Sequence, residues 1–349
     1  MALTVLLSAL FFLTLAFVFV QGTKKKAGGG ASTADFLPKS RTEMIKGIAA
    51  IGIVFSHIAT YSKGAAGSGA LRYYNILLTT LGGVGVNLFF FISGYGNYYS
   101  VARADNRVKW LWKRCVWLIL VYLCCHLLVL GILYAGGYRT SVREVLVDLL
   151  HVRIPYSSVW YVKIQLLVYC FMAAASLLKD RKYRVILLIA LCFASSIVLN
   201  RMGYDDKWWK STACFALGAA AAAYKGEIVR LIDRRKKQMT LLALLLFPIA
   251  YVAAVLVDVF LVKTVGNAAL CVVMMGLFEL FRADSAVYMK LGAYSLQLYL
   301  SHRSFVAWML DDGRTTNGKV ALIVGVSVLF TVIAKWICDR MTKLCFRRD

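Results

Sequence analysis

The sequence predicts an all-α fold: a polytopic transmembrane helical bundle of about ten core spans with one extra span at the amino terminus. Three observations carry that prediction. Of 349 residues, 60% are apolar and 17% charged, against about 45 to 50% apolar in soluble domains. The apolar residues gather into runs of roughly 20, the length that crosses a hydrocarbon core as a helix. Lys and Arg stand in short clusters between the runs. Lipid cannot satisfy open backbone groups, so each run must close its own hydrogen bonds as a helix.

Taken in order, the run 2–20 has no basic residue ahead of it and Lys24, Lys25 and Lys26 behind it. That is the reverse of a secretory signal, so residues 1–22 read as a retained extra helix. Residues 23–40, rich in Gly, Lys and Ser, read as a flexible cytoplasmic linker. The core follows from residue 41 to 349, with runs at 44–61, 77–99, 113–135, 158–178, 184–200, 211–224, 239–257, 264–281, 290–310 and 318–338. Two runs are weak: 211–224 is short, and 264–281 contains Gly266, Asn267 and Glu279, so either is open to being re-entrant or kinked. No internal repeat is visible, which weakens an inverted-repeat transporter reading.

The formal charge of +24 does not point to nucleic acid, because the basic residues form no stripe. Topology accounts for them. Placing Lys24 to Lys26 in the cytoplasm also places there Arg103 to Arg114, Lys179 to Arg184, Lys225 to Lys237, Arg282 with Lys290, and the basic tail. The expectation is a multi-pass protein of the cell membrane (plasma or inner), amino terminus outside and carboxyl terminus cytoplasmic. Most of the nine cysteines lie within apolar runs, without spacing that suits a metal site or a disulfide framework, and read as reduced packing residues.

Ionisable groups are costly in a membrane, so those within spans are the first functional candidates: Lys46, His57, His126, Lys163, Glu279 and His302. Lys46 and His57 lie eleven positions apart, which on one helix sets them on one face, roughly 16 Å apart along the axis. Gly47, Ala50 and Val54 keep that face small. A histidine beside a hydroxyl suits proton abstraction near neutral pH. On spacing alone the default remains a snorkelling lysine and a packing histidine.

The stretch from Glu43 through Lys46 to His57 resembles the opening helix of acyltransferase family 3, integral membrane O-acyltransferases, with its basic residue, ten-residue gap and histidine. Here Lys46 stands where Arg is usual and Glu43 where Asp is usual, so a point charge replaces a bidentate fork. Three further segments are similar to the family in the same order. Gly85 to Tyr95 carries the apolar stretch ending in Phe-x-x-Ser-Gly, with Asn87 where Asp often stands and Ser93-Gly94 at the end. Ser158 to Gln165 carries a Trp-Tyr pair at Trp160, and Leu291 to His302 carries Gly-x-x-Ser-x-x-x-Tyr-Leu-x-His. Taken without the family, Ser93-Gly94 reads as a small packing pair and Trp160 as an interfacial anchor.

The resemblance covers roughly residues 41 to 338 and implies an enzyme: a membrane O-acyltransferase. An acyl group, expected to be acetyl, passes from cytosolic acyl-coenzyme A to a hydroxyl of a saccharide or other cell-envelope acceptor. It implies His57 as general base, with Lys46 and Glu43 orienting donor or histidine. Arg114, deepest of the basic cluster Arg103, Arg107, Lys109, Lys113 and Arg114, is expected to attract coenzyme A phosphates. Ser93, Asn87 and His302 are expected to line the site, and Tyr95 and Trp160 to contact the acceptor. No metal and no permanently bound cofactor is expected. The competing reading is a transporter or flippase of a lipid-linked saccharide, using the same polar residues without covalent chemistry. The loop 136–157, with Val145 to His151, is a candidate surface helix at the lip of an acceptor site.

Overall fold

The computed structural model describes residues 36–61, 70–137, 159–281, 284–310 and 316–345, with isolated positions 13, 139, 141, 143–145 and 147. The expected first helix, most of the linker and the surface helix at 145–151 lie largely outside the described residues. Among the described residues there is no strand. The helices are α1 (Lys39–Tyr61), α2 (Ala70–Ala102), α3 (Arg107–Ala135), α4 (Val159–Ala175), α5 (Arg181–Arg201), α6 (Thr212–Ala223), α7 (Lys225–Val255), α8 (Phe260–Leu280), α9 (Ala286–Gly292), α10 (Ser295–Met309) and α11 (Asn317–Cys345). A short 3-10 turn, Asp206–Trp208, precedes α6.

Seven of these helices are long and apolar enough to cross a membrane: α1, α2 over Leu77–Ala102, α3, α5, α7, α8 and α11. The protein is therefore an all-α polytopic bundle. The run 264–281 is a continuous helix despite Gly266 and Asn267. Its polar residues are used inside the protein: the Asn267 amide donates to the Lys263 carbonyl at 2.8 Å, and Glu279 is paired below. The run 211–224 remains a 12-residue helix. It need not reach across lipid because it is held inside the bundle, with Phe215 fully buried. The run 290–310 divides at Ala293–Tyr294 into α9 and α10.

Burial orders the bundle. In α1, 72% of the most apolar window is buried, against 17% in α7, so α1 is central and α7 peripheral. Leu241, Leu242, Leu245 and Ile249 on α7 are exposed, the expected face toward lipid. Helix α2 packs against α1 and α6, and α1 against α9 and α10. Glycine permits the closest of these contacts. A Cβ on Gly94 would overlap the Phe215 carbonyl, and one on Gly218 the Phe91 carbonyl, so α2 and α6 meet backbone to backbone.

Polar ties fix the ends of central helices. Arg41 at the start of α1 donates from Nη1 to both oxygens of Glu279, at 2.5 and 2.6 Å. The same carboxylate accepts the Leu37 amide at 2.8 Å, holding Leu37 at φ 48, a left-handed conformation that costs a non-glycine residue about 1 kcal/mol or more. At the opposite end of α8, Asp206 lies 2.9 Å from Lys210 and 3.1 Å from Lys263. Burial pushes the Asp206 carboxyl up, but the two ammonium groups outweigh it and hold the carboxyl below its ordinary value.

Candidate active site

Helix α1 places the first candidates. Lys46 lies 2.8 Å from Glu43 on the early turns. There α9 approaches closely enough that a Cβ on Gly292 would overlap the Glu43 carbonyl, and one on Gly47 the Tyr288 carbonyl. That contact lays α10 alongside α1. Three turns beyond Lys46, the His57 ring centroid is 5.1 Å from that of His302, with the planes at 43°. The two histidines, 245 positions apart by number, form one pair.

His302 is fully buried, and its Nδ1 lies 2.8 Å from the Leu298 carbonyl. A carbonyl only accepts, so Nδ1 carries the proton and a neutral ring keeps its lone pair on Nε2. That Nε2 is buried and has no hydrogen-bond partner among the described residues. The arrangement leaves a proton acceptor beside a second imidazole. The Arg303 guanidinium is near enough for its charge to reach both rings.

Next to the pair, a cavity of about 690 Å³ opens among α1, α2, α3, α4 and α10. Its size suits a small organic ligand. One end holds Lys39, Glu43, Lys46 and Arg114, three cations to one carboxylate, and so favours an anion. Arg114 is oriented by a 2.8 Å bond from Nη2 to Ser100 Oγ. The middle is polar, with Ser93, Asn97 and Gln165. The far end is aromatic: Phe89, Tyr161 and Tyr299 pack together, with the tyrosine centroids 4.7 Å apart. Tyr299 lines the cavity, and its ring lies 6.0 Å from His302. The cavity thus runs from a basic end to the Tyr299 ring beside His302.

Residues 41–340 match the family model of an acyltransferase domain. The chain belongs to acyltransferase family 3. No curated protein and no solved structure matches it. The protein is thus a membrane acyltransferase, which requires an acyl donor and a hydroxyl acceptor, and the basic cavity and the histidine pair are its candidate active site.

The other sequence-chosen residues of this acyltransferase divide by location. Lys46, Glu43, Ser93 and Arg114 line the cavity, while His57 and His302 form the pair beyond it. Asn87 lies elsewhere. It is fully buried, donates to Asn267 Oδ1 at 2.8 Å and accepts from Ser211 Oγ at 2.6 Å, so it joins α2 to α6 and α8. The Tyr95 hydroxyl donates to the Phe36 carbonyl at 2.8 Å, tying α2 to the segment before α1. Trp160, at the start of α4, stacks obliquely on Trp208 with centroids 6.5 Å apart. Among the remaining ionisable groups, Lys163 is exposed, His126 stacks on Tyr122, and Glu279 pairs with Arg41. Among the described residues no group of His, Cys, Asp or Glu is placed to hold a metal ion.

Sequence reasoning quoted Tyr161, Gln165 and Tyr299 within the family-like segments but placed none of them in the site, and it passed over Asn97. A search for ionisable groups cannot find neutral amides. Yet in an apolar span an amide is the next most costly side chain, and Asn97 follows Ser93 by one helical turn.

Proposed function

We propose that the protein transfers an acyl group, acetyl in the simplest case, from cytosolic acyl-coenzyme A to a hydroxyl of a saccharide or other cell-envelope acceptor. The observation that carries this reading is the basic 690 Å³ cavity ending at Tyr299, whose ring lies 6.0 Å from that of His302, the partner of His57. The mouth bearing Lys39, Lys46 and Arg114 faces the cytosol and receives the phosphates of the donor. The thioester reaches toward Tyr299.

His57 acts as general base. It takes the proton of the acceptor hydroxyl as that oxygen forms its bond to the thioester carbonyl. The tetrahedral adduct then collapses, the carbon–sulfur bond breaks, and the coenzyme A sulfur leaves with the proton that His57 returns. His302, with its lone pair on Nε2, stands beside His57 to hold the acceptor or the imidazolium. Glu43 keeps Lys46 at the mouth, and Ser93 orders the polar middle. Trp160 is buried beside the half-buried Trp208, and contact with a sugar at the outer side runs through that pair of rings. Asn87 and Tyr95 serve by holding α2 in place.

Purified protein in lipid, given radiolabelled acetyl-coenzyme A and a panel of hydroxyl acceptors, tests the reading. Label enters an acceptor with the wild type, and His57→Gln lowers the rate by about 100- to 10,000-fold while remaining folded. Equal rates in the two proteins would remove His57 from the chemistry. No covalent product with any donor, accompanied by movement of an intact lipid-linked saccharide, would favour a transporter.

A further inference from the structure

Two residues lining the middle of the cavity each carry a hydrogen-bond acceptor that no described residue engages. Ser93 Oγ accepts from Gln165 Nε2 at 2.8 Å and from Asn97 Nδ2 at 3.1 Å. Asn97 Nδ2 also donates to the Ser93 backbone carbonyl at 2.8 Å. Because a carbonyl cannot donate, this last bond fixes which way the Asn97 amide faces: nitrogen to Ser93, oxygen away. The Gln165 nitrogen is engaged at the same hydroxyl. Asn97 Oδ1 and Gln165 Oε1 are then buried and without a hydrogen-bond partner among the described residues. The side chains belong to residues only 5% and 2% exposed, and both line the cavity.

A buried amide oxygen without a donor is unfavourable, and two in residues that line one cavity would be an odd cost for packing alone. Their place between the ends of the cavity says what kind of ligand would relieve it. On one side lies the cationic mouth with Lys46 and Arg114, on the other the aromatic end with Tyr161 and Tyr299. A matching ligand has an anionic head, a neutral flexible middle bearing N–H donors, and a reactive tip. The arm that joins the nucleotide of coenzyme A to its thioester carries two secondary amides and fits that order.

Resting on the acyl-coenzyme A reading above, we infer that Asn97 Oδ1 and Gln165 Oε1 accept the amide N–H groups of the donor's pantetheine arm, with Ser93 as the positioning residue that aims both oxygens. This subsite measures the donor's middle, independently of the phosphates at the mouth and the acyl group at the histidines.

Equilibrium binding to the purified full chain tests the inference, using coenzyme A and its nucleotide half, 3′-phosphoadenosine 5′-diphosphate, as probes. The wild type binds coenzyme A more tightly than the nucleotide. Asn97→Leu and Gln165→Met, near in volume but without the acceptor, each weaken coenzyme A binding about tenfold and change the Kd of the nucleotide by less than about twofold. Retained nucleotide binding shows that a variant is folded. The inference is overturned if both probes weaken equally, if neither weakens, or if the wild type binds the two alike. A wild type that binds neither probe overturns the acyl-coenzyme A reading itself, a separate and recognisable failure.

Discussion

Lys46 and His57 differ in what their replacement should cost. The Glu43–Lys46 pair is about one-quarter exposed on each side chain, and such a pair contributes about 1 kcal/mol or less to stability. Loss of Lys46 should therefore act on the ligand and leave the fold intact. We expect Lys46→Met to raise the KM for acyl-coenzyme A about tenfold with little change in kcat, and Lys46→Arg to restore most of it. Steady-state kinetics decide this, and a fall in kcat with unchanged KM would move Lys46 from donor binding to the chemical step. The lysine, the histidine and the gap between them were legible in the sequence because charge in an apolar run is conspicuous. That His57 and His302 belong to one site was legible only through the family resemblance, since the 5.1 Å contact depends on the breadth of contact between α1 and the α9–α10 segment. Asn97 and Gln165 were not legible as site residues, because a neutral amide signals function only once its unused oxygen is located.

At the scale of elements, the Ser93-Gly94 pair has two jobs that the sequence did not separate. Ser93 faces the cavity, whereas Gly94 lies against the Phe215 carbonyl of α6, and Gly218 meets α2 in return. A side chain at Gly94 must push α6 away, and neither backbone can yield cheaply. We expect Gly94→Val and Gly218→Val each to destabilise the bundle by about 1 to 3 kcal/mol or more, read as a lower Tm in detergent and a poor yield of monodisperse protein. Gly276→Ala on α8, where an added Cβ meets nothing within 4 Å, should leave Tm unchanged or slightly raised. If all three variants melt alike, the α2–α6 contact is not as close as described. The apolar runs forecast where helices fall and that the run forming α6 is short, yet not that α6 would be enclosed, nor that the late motif would straddle the α9–α10 break. Run length reports solvent, while those features involve neighbours: α2 shelters α6, and α9 ends at Gly292, where it meets α1.

For the whole molecule, the division of labour follows from burial. Helix α7 presents leucines outward, and α1, α2 and α10 keep the polar groups inside, so polar chemistry is confined to a protein-lined path within lipid. On the proposed reading, the donor enters this path at Lys46 and Arg114, and the acceptor meets the histidines beyond Tyr299. Sidedness is therefore the central claim, and it is measured directly by acetyl transfer in sealed vesicles of known orientation, with labelled acetyl-coenzyme A supplied only outside them. Inverted vesicles, which expose the cytosolic face, should transfer label to an acceptor. Right-side-out vesicles should do so only after permeabilisation, and vesicles carrying His57→Gln in neither state. Equal transfer by intact vesicles of both orientations, or transfer that persists without His57, would contradict the account.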